Sequence, residues 1–329
     1  MKIGIEAARK LSNQILGNFG FNSEEAEYIT ENLLEGALTG KSSHGFIRIP
    51  WIKKMLDNGS ISMTAEQISV AKETPVSLLV DGKNKTGFYV ANKALDMGFA
   101  KVKVSGICVV GTTNTAPTTG LIGLYARKAA EKDLILIAFN NSAGGLVPHG
   151  SIKDLWGTNP LTVGIPTEGI PVILDMASSQ ITWGHLLLAK AQGIELPKGA
   201  AIDGKGEPTT DAAAALEGGL LPIAGHKGSG LAFIVELLGG ALTASRTGGN
   251  VPGGWGSLMI LIDPNIIRDL QDFKRDVTTA ITELKESPKM KGFDEIYFPG
   301  EQSQKRRLQA LAEGQIDIDE NLYNSLNEI

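Results

Sequence analysis

The amino-acid sequence predicts an α/β or α+β protein whose sheet has several strands buried on both faces. Two observations predict this class. Short apolar runs alternate with amphipathic stretches from residue 66 onward, which is the pattern of strands that alternate with helices. Several of the runs are continuously apolar, as expected where both faces of a strand are covered. The sequence before and after this region is helical in pattern, so helices are expected from both chain ends.

The first 60 residues predict helices joined by a short polar loop. Residues 1–16 are amphipathic. The next helix begins at Asn22 and Ser23, because a capping side chain followed by two glutamates is a helix start, and it ends at Gly40. A further amphipathic segment covers residues 50–56. The loop between these last two helices reads GKSSHGFIRIP.

Strands and helices then alternate through the middle of the chain. The predicted order is a strand pair at 67–73 and 76–82, a helix at 89–102, a strand at 106–111, a helix at 121–132, strands at 133–140, 161–166 and 172–177, a helix at 229–245 and a strand at 257–263. The tail after residue 265 is polar and helical, and FPGE interrupts it. No internal repeat is visible.

Composition excludes several classes of function. The chain has 329 residues, 42% of them hydrophobic and 20% charged, which is ordinary for a soluble protein. A net charge of −5 argues against a nucleic-acid partner, and no apolar run of about 18 residues could cross a membrane. The single cysteine, Cys108, excludes an internal disulfide. A cytoplasmic protein is the simplest expectation.

The loop GKSSHGFIRIP contains the most chemically suggestive residues. Ser43, His44 and Arg48 would supply a hydroxyl, a proton shuttle and an anion anchor. An equal alternative is a helix-linking loop whose arginine binds a structural carboxylate. The segment alone does not decide between these two interpretations.

Other motifs are weaker. The GxGxxG of the usual dinucleotide-binding fold and the phosphate-binding GK[ST] loop are both absent. GHKGSG at 225–230 opens a long apolar helix and would suit a phosphate, or it is simply a tight turn with a surface lysine. GTNP at 157–160 and DMASS at 175–179 stand at strand ends, where α/β proteins place ligand contacts. The four histidines lack metal-ligand spacing.

Taken together and in order, these segments resemble the type-2 malate/L-lactate dehydrogenase family. The segments that carry the resemblance are SSHGFIRIP, WGTNP, ILDMASS, LPKGAAIDGKGEPTTD, GHKGSGLA and FPGE, with IDIDENLYNSL near the end. The resemblance implies a distinct NAD(P)-binding fold with a large mixed sheet and a homodimer with its active site between domains. Residues 1–75 and 285–329 would form a helical, substrate-side and dimer-forming portion, and residues 76–284 the cofactor-binding portion.

The resemblance implies catalytic roles for the residues of this chain that match the family's motifs. In such enzymes the histidine of SHG transfers the proton while hydride moves, which here means His44. Ser43 would hold its tautomer, Arg48 would bind the substrate carboxylate and Thr158 would meet the substrate. The residues expected to line the cofactor are Thr118, Thr119, Gly120, Leu121, Ile122, Asp175, Met176, Ala177, His226, Lys227, Glu301, Lys305, Arg306 and Arg307.

The sequence departs from the family at two places. Where relatives carry a motif like SNHFGAAGYYA, this chain reads TAPTTGLIGLYA, so Thr118 stands in place of a histidine. After DMASS come Trp183 and Gly184, expected at the substrate, and His185, which stands where some relatives place a relay aspartate. His185 is therefore a candidate partner for His44.

These features predict an NAD(P)-dependent oxidoreductase acting on a small 2-oxo or 2-hydroxy acid. Two alternatives stay open: a reductase of cyclic 2-imino acids, and a non-catalytic paralogue that binds a nucleotide or metabolite. KRR at 305–307 favours NADPH over NADH, because a 2′-phosphate would suit it, although the same run could be solvated surface. The sequence carries no readable code for the substrate side chain or the direction of reaction.

Overall fold

The computed structural model describes residues 1–63, 66–245, 247 and 254–329. The chain starts with strand β1 (Lys2–Gly4) and helices α1 (Ile5–Asn18), α2 (Ser23–Leu38) and α3 (Ile49–Asp57). Asn22 and Glu25 form the predicted capping box, since the side chain of each accepts a hydrogen bond from the backbone N–H of the other. Two 3-10 turns, Ser42–His44 and Phe46–Arg48, carry the polar loop between α2 and α3.

The predicted alternation in the middle of the chain is confirmed. Its elements are β2 (Ser69–Thr74), β3 (Ser77–Asp81), α4 (Gly87–Ser105), β4 (Ile107–Thr115), α5 (Gly123–Ala130), β5 (Ile135–Asn140), β6 (Leu161–Ile165) and β7 (Val172–Met176). Most of these strands have an apolar or alternating pattern, whereas β2 is exposed at five of its six residues. Thr86 caps α4, and α5 starts at Gly123 without a side-chain cap.

The next region holds short elements that the sequence did not predict. These are α6 (Trp183–Gln192), β8 (Ala201–Ile202), β9 (Pro208–Thr209), α7 (Ala212–Glu217) and β10 (Gly219–Leu220). They share a small core and a three-stranded sheet of order β10-β8-β9. Helix α8 (His226–Glu236) begins three residues before the predicted helix and continues as a π-helical turn, and strand β11 (Trp255–Ile262) follows.

Within the described residues, seven strands form one mixed sheet of order β2-β3-β4-β11-β5-β6-β7. Only the β3–β4 pair is parallel. Helices α4 and α5 pack on the sheet, and Cys108 is fully buried in the core beneath them. The large mixed sheet predicted from the resemblance is confirmed. No helix in the described part of the chain is long and apolar enough to cross a membrane.

The chain ends combine in a second core. The tail forms α9 (Leu270–Glu286), α10 (Glu301–Glu313), β12 (Gln315–Asp317) and α11 (Glu320–Asn327). Strand β12 pairs with β1 antiparallel, with Ile316 opposite Ile3. Ile316 and Leu326 pack in one cluster with buried residues of α1, α2 and α3. A helical portion built from both chain ends is therefore confirmed, while its division at residues 75 and 285 stays a prediction.

Buried ion pairs fix α2 against the sheet portion. The Nζ of Lys85 lies 2.6 Å from Oε1 of Glu25, and the Nε of Arg127 lies 2.9 Å from Oε1 of Glu35. All four side chains are less than 8% exposed. Because breaking a buried pair leaves an uncompensated charge, the Lys85–Glu25 pair holds the first turn of α2 in place and the Arg127–Glu35 pair holds its last turn, next to the polar loop.

Candidate active site

A cavity of about 740 Å³ opens where the loop after α2 meets the loop before α5, the ends of β5 and β7, and the start of α6. It brings together residues that are far apart in the sequence. The predicted site residues that line it are Ser43, His44, Arg48, Thr118, Thr119, Gly120, Leu121, Ile122, Thr158, Asp175, Ala177, Trp183, Gly184 and His185.

The loop after α2 orders three functional groups at this cavity. Ser43 Oγ lies 3.1 Å from Nδ1 of His44, and Arg48 Nε donates to the Ser43 carbonyl at 2.7 Å. The Arg48 guanidinium also lies over the Trp51 ring, 5.4 Å from its centre. Gly36 makes this possible, because a Cβ there would come within 2.7 Å of the His44 backbone. A glycine on α2 therefore lets the loop fold back on the helix.

His44 is neutral at physiological pH in this site. Burial is the main cause and the Arg48 guanidinium the next, and with help from Lys41 they lower the pKa of His44 to about 4, against the opposing charge of Asp175. Since Nδ1 faces the Ser43 hydroxyl, Nε2 is the ring nitrogen left for a ligand. The arrangement suits a group that accepts a proton first and returns it later.

The start of α6 lies against Arg48. Thr182 caps this helix, because its Oγ1 accepts from the backbone N–H of His185 at 3.2 Å. A Cβ at Gly184 would lie 3.2 Å from an Nη atom of Arg48, so only glycine fits there without pressing on the guanidinium. Among the described residues no hydrogen bond joins His185 to His44, and the relay role of His185 stays a prediction.

The loop before α5 is held by a residue that the sequence did not single out. Asn32 is fully buried on α2; its Oδ1 accepts from Leu121 N at 2.8 Å and its Nδ2 donates to Leu121 O at 3.3 Å. Thr118 Oγ1 accepts from Gly120 N at 3.1 Å. Thr118 thus stabilises the turn. The contact of Asn32 could not be inferred from the sequence, because Leu121 lies 89 positions away.

A smaller cavity of about 240 Å³ adjoins the first and shares Lys41, Leu121 and Asp175 with it. It extends to the FPGE turn, where Gly300 and the first turn of α10 line it. Lys41 Nζ donates to Asp175 Oδ2 at 3.0 Å at the boundary between the two cavities. No local pattern singles out Lys41, because its partner is distant in the chain.

Several predicted cofactor residues do not line either cavity. These are Met176, His226, Lys227, Glu301, Lys305, Arg306 and Arg307. The ring of His226 instead lies 6.1 Å from that of His149. A cofactor contact for each of the seven stays a prediction.

The basic run on α10 is largely engaged in structural ion pairs. Lys305 lies 2.8 Å from the buried carboxylate of Glu301, and Arg307 Nε donates to Glu35 at 3.1 Å. Burial acts to raise the pKa of Glu301, but hydrogen bonds from Lys285 and Lys305 lower it below its usual range. These contacts give no support to a 2′-phosphate site formed by the whole run.

The GTNP motif divides into a ligand-facing residue and a scaffold residue. Thr158 lines the cavity, whereas the buried Asn159 donates to Glu236 at 2.8 Å and accepts from Ser142 N at 3.1 Å. Sequence reasoning missed further lining residues that follow or start strands, and these are Asn140, Asn141 and Trp255. In the part of the chain that the structure describes, no cluster of three histidine, cysteine or acidic side chains could hold a metal ion.

A half-buried histidine beside an arginine, in a cavity of this size, provides a group that can transfer a proton and a group that can bind an anion. Comparison with known proteins identifies the family. The family model for malate/L-lactate dehydrogenase matches residues 3–327. The chain belongs to the malate/L-lactate dehydrogenase family.

Relatives over the whole length are dehydrogenases and reductases. L-sulfolactate dehydrogenase of Methanocaldococcus jannaschii is 35% identical, and the match covers 98% of this chain and 95% of that protein. A solved sulfolactate dehydrogenase structure from the same organism has a TM-score of 0.89 and 34% identity, and the match covers 100% of this chain and 96% of that chain. Ureidoglycolate dehydrogenase (NAD(+)) of Escherichia coli is 29% identical, with coverage of 99% and 95%. The solved delta1-piperideine-2-carboxylate reductase of Pseudomonas syringae has a TM-score of 0.86, with 27% identity and coverage of 100% and 99%. The family assignment made from the motifs is confirmed. Homology to dehydrogenases and reductases identifies the chain as an oxidoreductase.

Proposed function

We propose that this chain is an NAD(P)-dependent oxidoreductase that transfers a hydride between nicotinamide and a small 2-oxo or 2-hydroxy acid. The observation that carries the proposal is the arrangement of Ser43, His44 and Arg48 around one cavity, with a hydroxyl on one imidazole nitrogen and a guanidinium nearby. The relatives named for sulfolactate and ureidoglycolate support the substrate class, and the NAD(+) in the name of the ureidoglycolate enzyme supports the cofactor class.

The two adjacent cavities fit a dinucleotide. The larger one has the volume of a typical ligand site, and the smaller one extends past Lys41 to the FPGE turn. Thr119, Gly120 and Ile122 would hold the nicotinamide half beside His44, and Gly300 and Ser303 would lie at the adenosine half. When bound, the nicotinamide supplies or accepts the hydride.

The side chains of this site have distinct tasks. Arg48 binds the substrate carboxylate, because its planar, permanently charged fork matches two oxygens. His44 takes the hydroxyl proton of a 2-hydroxy acid at Nε2, or returns it to the oxygen of a 2-oxo acid. Ser43 keeps the imidazole in one orientation. Thr158 and Trp183 shape the space for the rest of the substrate.

A second candidate is reduction of a cyclic 2-imino acid. The structural likeness to a piperideine carboxylate reductase favours it. Such a substrate presents a carboxylate to Arg48 and a C=N nitrogen, in place of an oxygen, to His44. The non-catalytic alternative rests on Thr118 in place of a second histidine, and retained Ser43, His44 and Arg48 weigh against it.

The choice between NADH and NADPH and the assembly belong to the same proposal. A preference for NADPH has weak support, because Lys305 and Arg307 already bind glutamates.

An apolar surface on α8, with Phe233 47% and Ile234 48% exposed, supports a homodimer. The cytoplasmic location also stays a proposal.

The decisive experiment follows NADH and NADPH absorbance with a panel of 2-oxo acids and cyclic imines. Wild-type protein should oxidise the cofactor with at least one 2-oxo acid, and His44→Ala should lower turnover by about 10²- to 10⁴-fold, the scale of losing a general acid or base. The Kd for the cofactor in the same variant should stay unchanged.

Three outcomes would redirect the proposal. Turnover on imines alone would identify the imino acid reductase. Cofactor binding with no turnover on any substrate would identify the binding protein. Full activity of His44→Ala would remove His44 from the mechanism.

A further inference from the structure

Lys41 lies at the boundary of the two cavities with its charge held by a single carboxylate. Its Nζ lies 3.0 Å from Asp175 Oδ2, with 35% of the lysine side chain exposed and 11% of the aspartate. The same oxygen accepts from the backbone N–H of Gly123 at 3.2 Å, at the first residue of α5. The carboxylate of Asp175 therefore accepts from two donors, the Lys41 ammonium and the Gly123 backbone N–H, which lie where the two cavities meet.

The position of Lys41 matters because it lines both cavities. Among the described residues, Lys41 and Arg48 are the only lysine and arginine that line the larger cavity. Of these residue types, Lys41 alone among the described residues lines the smaller cavity. Arg127 and Arg307, although close to the smaller cavity, are bound to Glu35. Arg48 is fixed by the Ser43 carbonyl within the substrate region.

A dinucleotide that has its nicotinamide beside His44 and its adenosine at Gly300 must carry its diphosphate between the two cavities. The diphosphate bears two negative charges, and Lys41 is the cation at that point. Because 35% of the Lys41 side chain is exposed, its ammonium can reach a phosphate oxygen, and the backbone N–H of Gly123 still donates to the Asp175 carboxylate.

We propose that Lys41 binds the diphosphate of the nicotinamide cofactor and exchanges Asp175 for a phosphate oxygen when the cofactor enters. This inference rests on the proposed function, because it assumes a dinucleotide in the two cavities. It adds a residue outside the predicted set, two positions before Ser43.

The test compares Lys41→Met and Lys41→Arg with the wild type by direct titration of NADH and NADPH. Lys41→Met should raise the Kd of the cofactor that the wild type binds by about 10- to 100-fold, the equivalent of one charge-assisted hydrogen bond. Lys41→Arg should recover most of the affinity. Because the contact is ionic, added salt should weaken cofactor binding by the wild type more than by Lys41→Met.

Two further variants separate a direct contact from an indirect one. Lys54→Met removes an exposed cation of α3 that lines neither cavity, and its Kd should match the wild type. In Lys41→Met with Asp175→Asn, neither charge remains, and the asparagine can still accept from Gly123. If Lys41 binds phosphate, this double variant stays weak.

Three results would overturn the inference. Recovery of wild-type affinity in the double variant would mean that Lys41 only neutralises Asp175. A Kd for Lys41→Met within about threefold of the wild type would remove Lys41 from the cofactor site, while tight binding would leave the proposed function standing. Failure of the wild type to bind either nucleotide would overturn both proposals.

Discussion

In the proposed reaction, His44 is a weak base before substrate arrives and a proton donor in the reverse direction. Burial and the charge of Arg48 hold its pKa at about 4 in the free protein. A substrate carboxylate on Arg48 would cancel part of that charge and let the pKa rise. In the proposed mechanism the same arginine would anchor the substrate and adjust the pKa of the histidine, so one side chain would couple the two tasks.

This coupling predicts the pH dependence of oxidation. A histidine with its ordinary pKa near 6.5 would lose half of its base form at that pH. Because the pKa of His44 is lowered, its neutral form persists as the pH falls, and protonation becomes appreciable only near pH 4. We expect kcat/KM for a 2-hydroxy acid to stay level from pH 8 to about pH 5.5 and to fall below that.

The measurement is a kcat/KM profile, which reports groups of the free enzyme. Samples returned to pH 7 after each point should regain full activity, which excludes acid unfolding as the cause. A midpoint near 6.5 would contradict the lowered pKa of His44.

Single residues were predictable where their partners are close in sequence. Ser43, His44 and Arg48 fall within one loop, so they could be selected as candidates from the sequence, although the choice between a functional and a structural loop needed the other family motifs. Lys41 and Asp175 are 134 positions apart, and Asn32 and Leu121 are 89 apart. Such contacts depend on how the helices dock on the sheet, and no local pattern encodes that.

At the scale of elements, α6 connects a capping residue with Arg48, the proposed anchor of the substrate carboxylate. Thr182 caps the helix, and this places the first turn against the guanidinium of Arg48. The strands and helices between residues 69 and 176 follow strong local periodicity and were predicted. Helices α6 and α7 and the short strands near them were missed, because two-residue strands have no measurable period and are stabilised by tertiary contacts.

Substitution of Gly184 by alanine tests the role of α6. The added Cβ would lie 3.2 Å from Arg48 and 3.3 Å from the Ser43 side chain, so the guanidinium must shift. We expect the KM of the acid substrate to rise about tenfold or more, since small displacements of positioning groups are costly, while the Kd of the cofactor changes little.

Gly17→Ala in α1 is the matched control. A Cβ at Gly17 meets nothing within 4 Å, and alanine is the better helix former. An unchanged KM in Gly184→Ala would show that α6 does not position Arg48.

At the scale of the whole molecule, Glu35 joins three helices that are far apart in the chain. Its carboxylate accepts from Arg127 of α5 at 2.9 and 3.0 Å and from Arg307 of α10 at 3.1 Å. This arrangement connects the helical portion from both chain ends to the sheet portion. It also explains why the basic run on α10, which the sequence assigned to a phosphate, has a structural role at Arg307.

We expect Glu35→Gln to lower the free energy of unfolding by about 3 to 5 kcal/mol, because a neutral amide would leave buried guanidinium charge uncompensated. Urea denaturation followed by circular dichroism measures the change. Glu27→Gln, on the exposed side of the same helix, removes a surface ion pair with Arg9 and should cost less than about 1 kcal/mol. Equal losses in the two variants would contradict the structural role of Glu35.

The distribution of aromatic side chains has an optical consequence. Of the four tryptophans, Trp51, Trp183 and Trp255 line the larger cavity, while Trp156 stacks on Phe233 with ring centres 5.5 Å apart. Indole emission overlaps the absorption band of reduced nicotinamide. Entry of that cofactor would quench the three cavity indoles by energy transfer, so the unlabelled protein reports its own ligand occupancy in a fluorimeter.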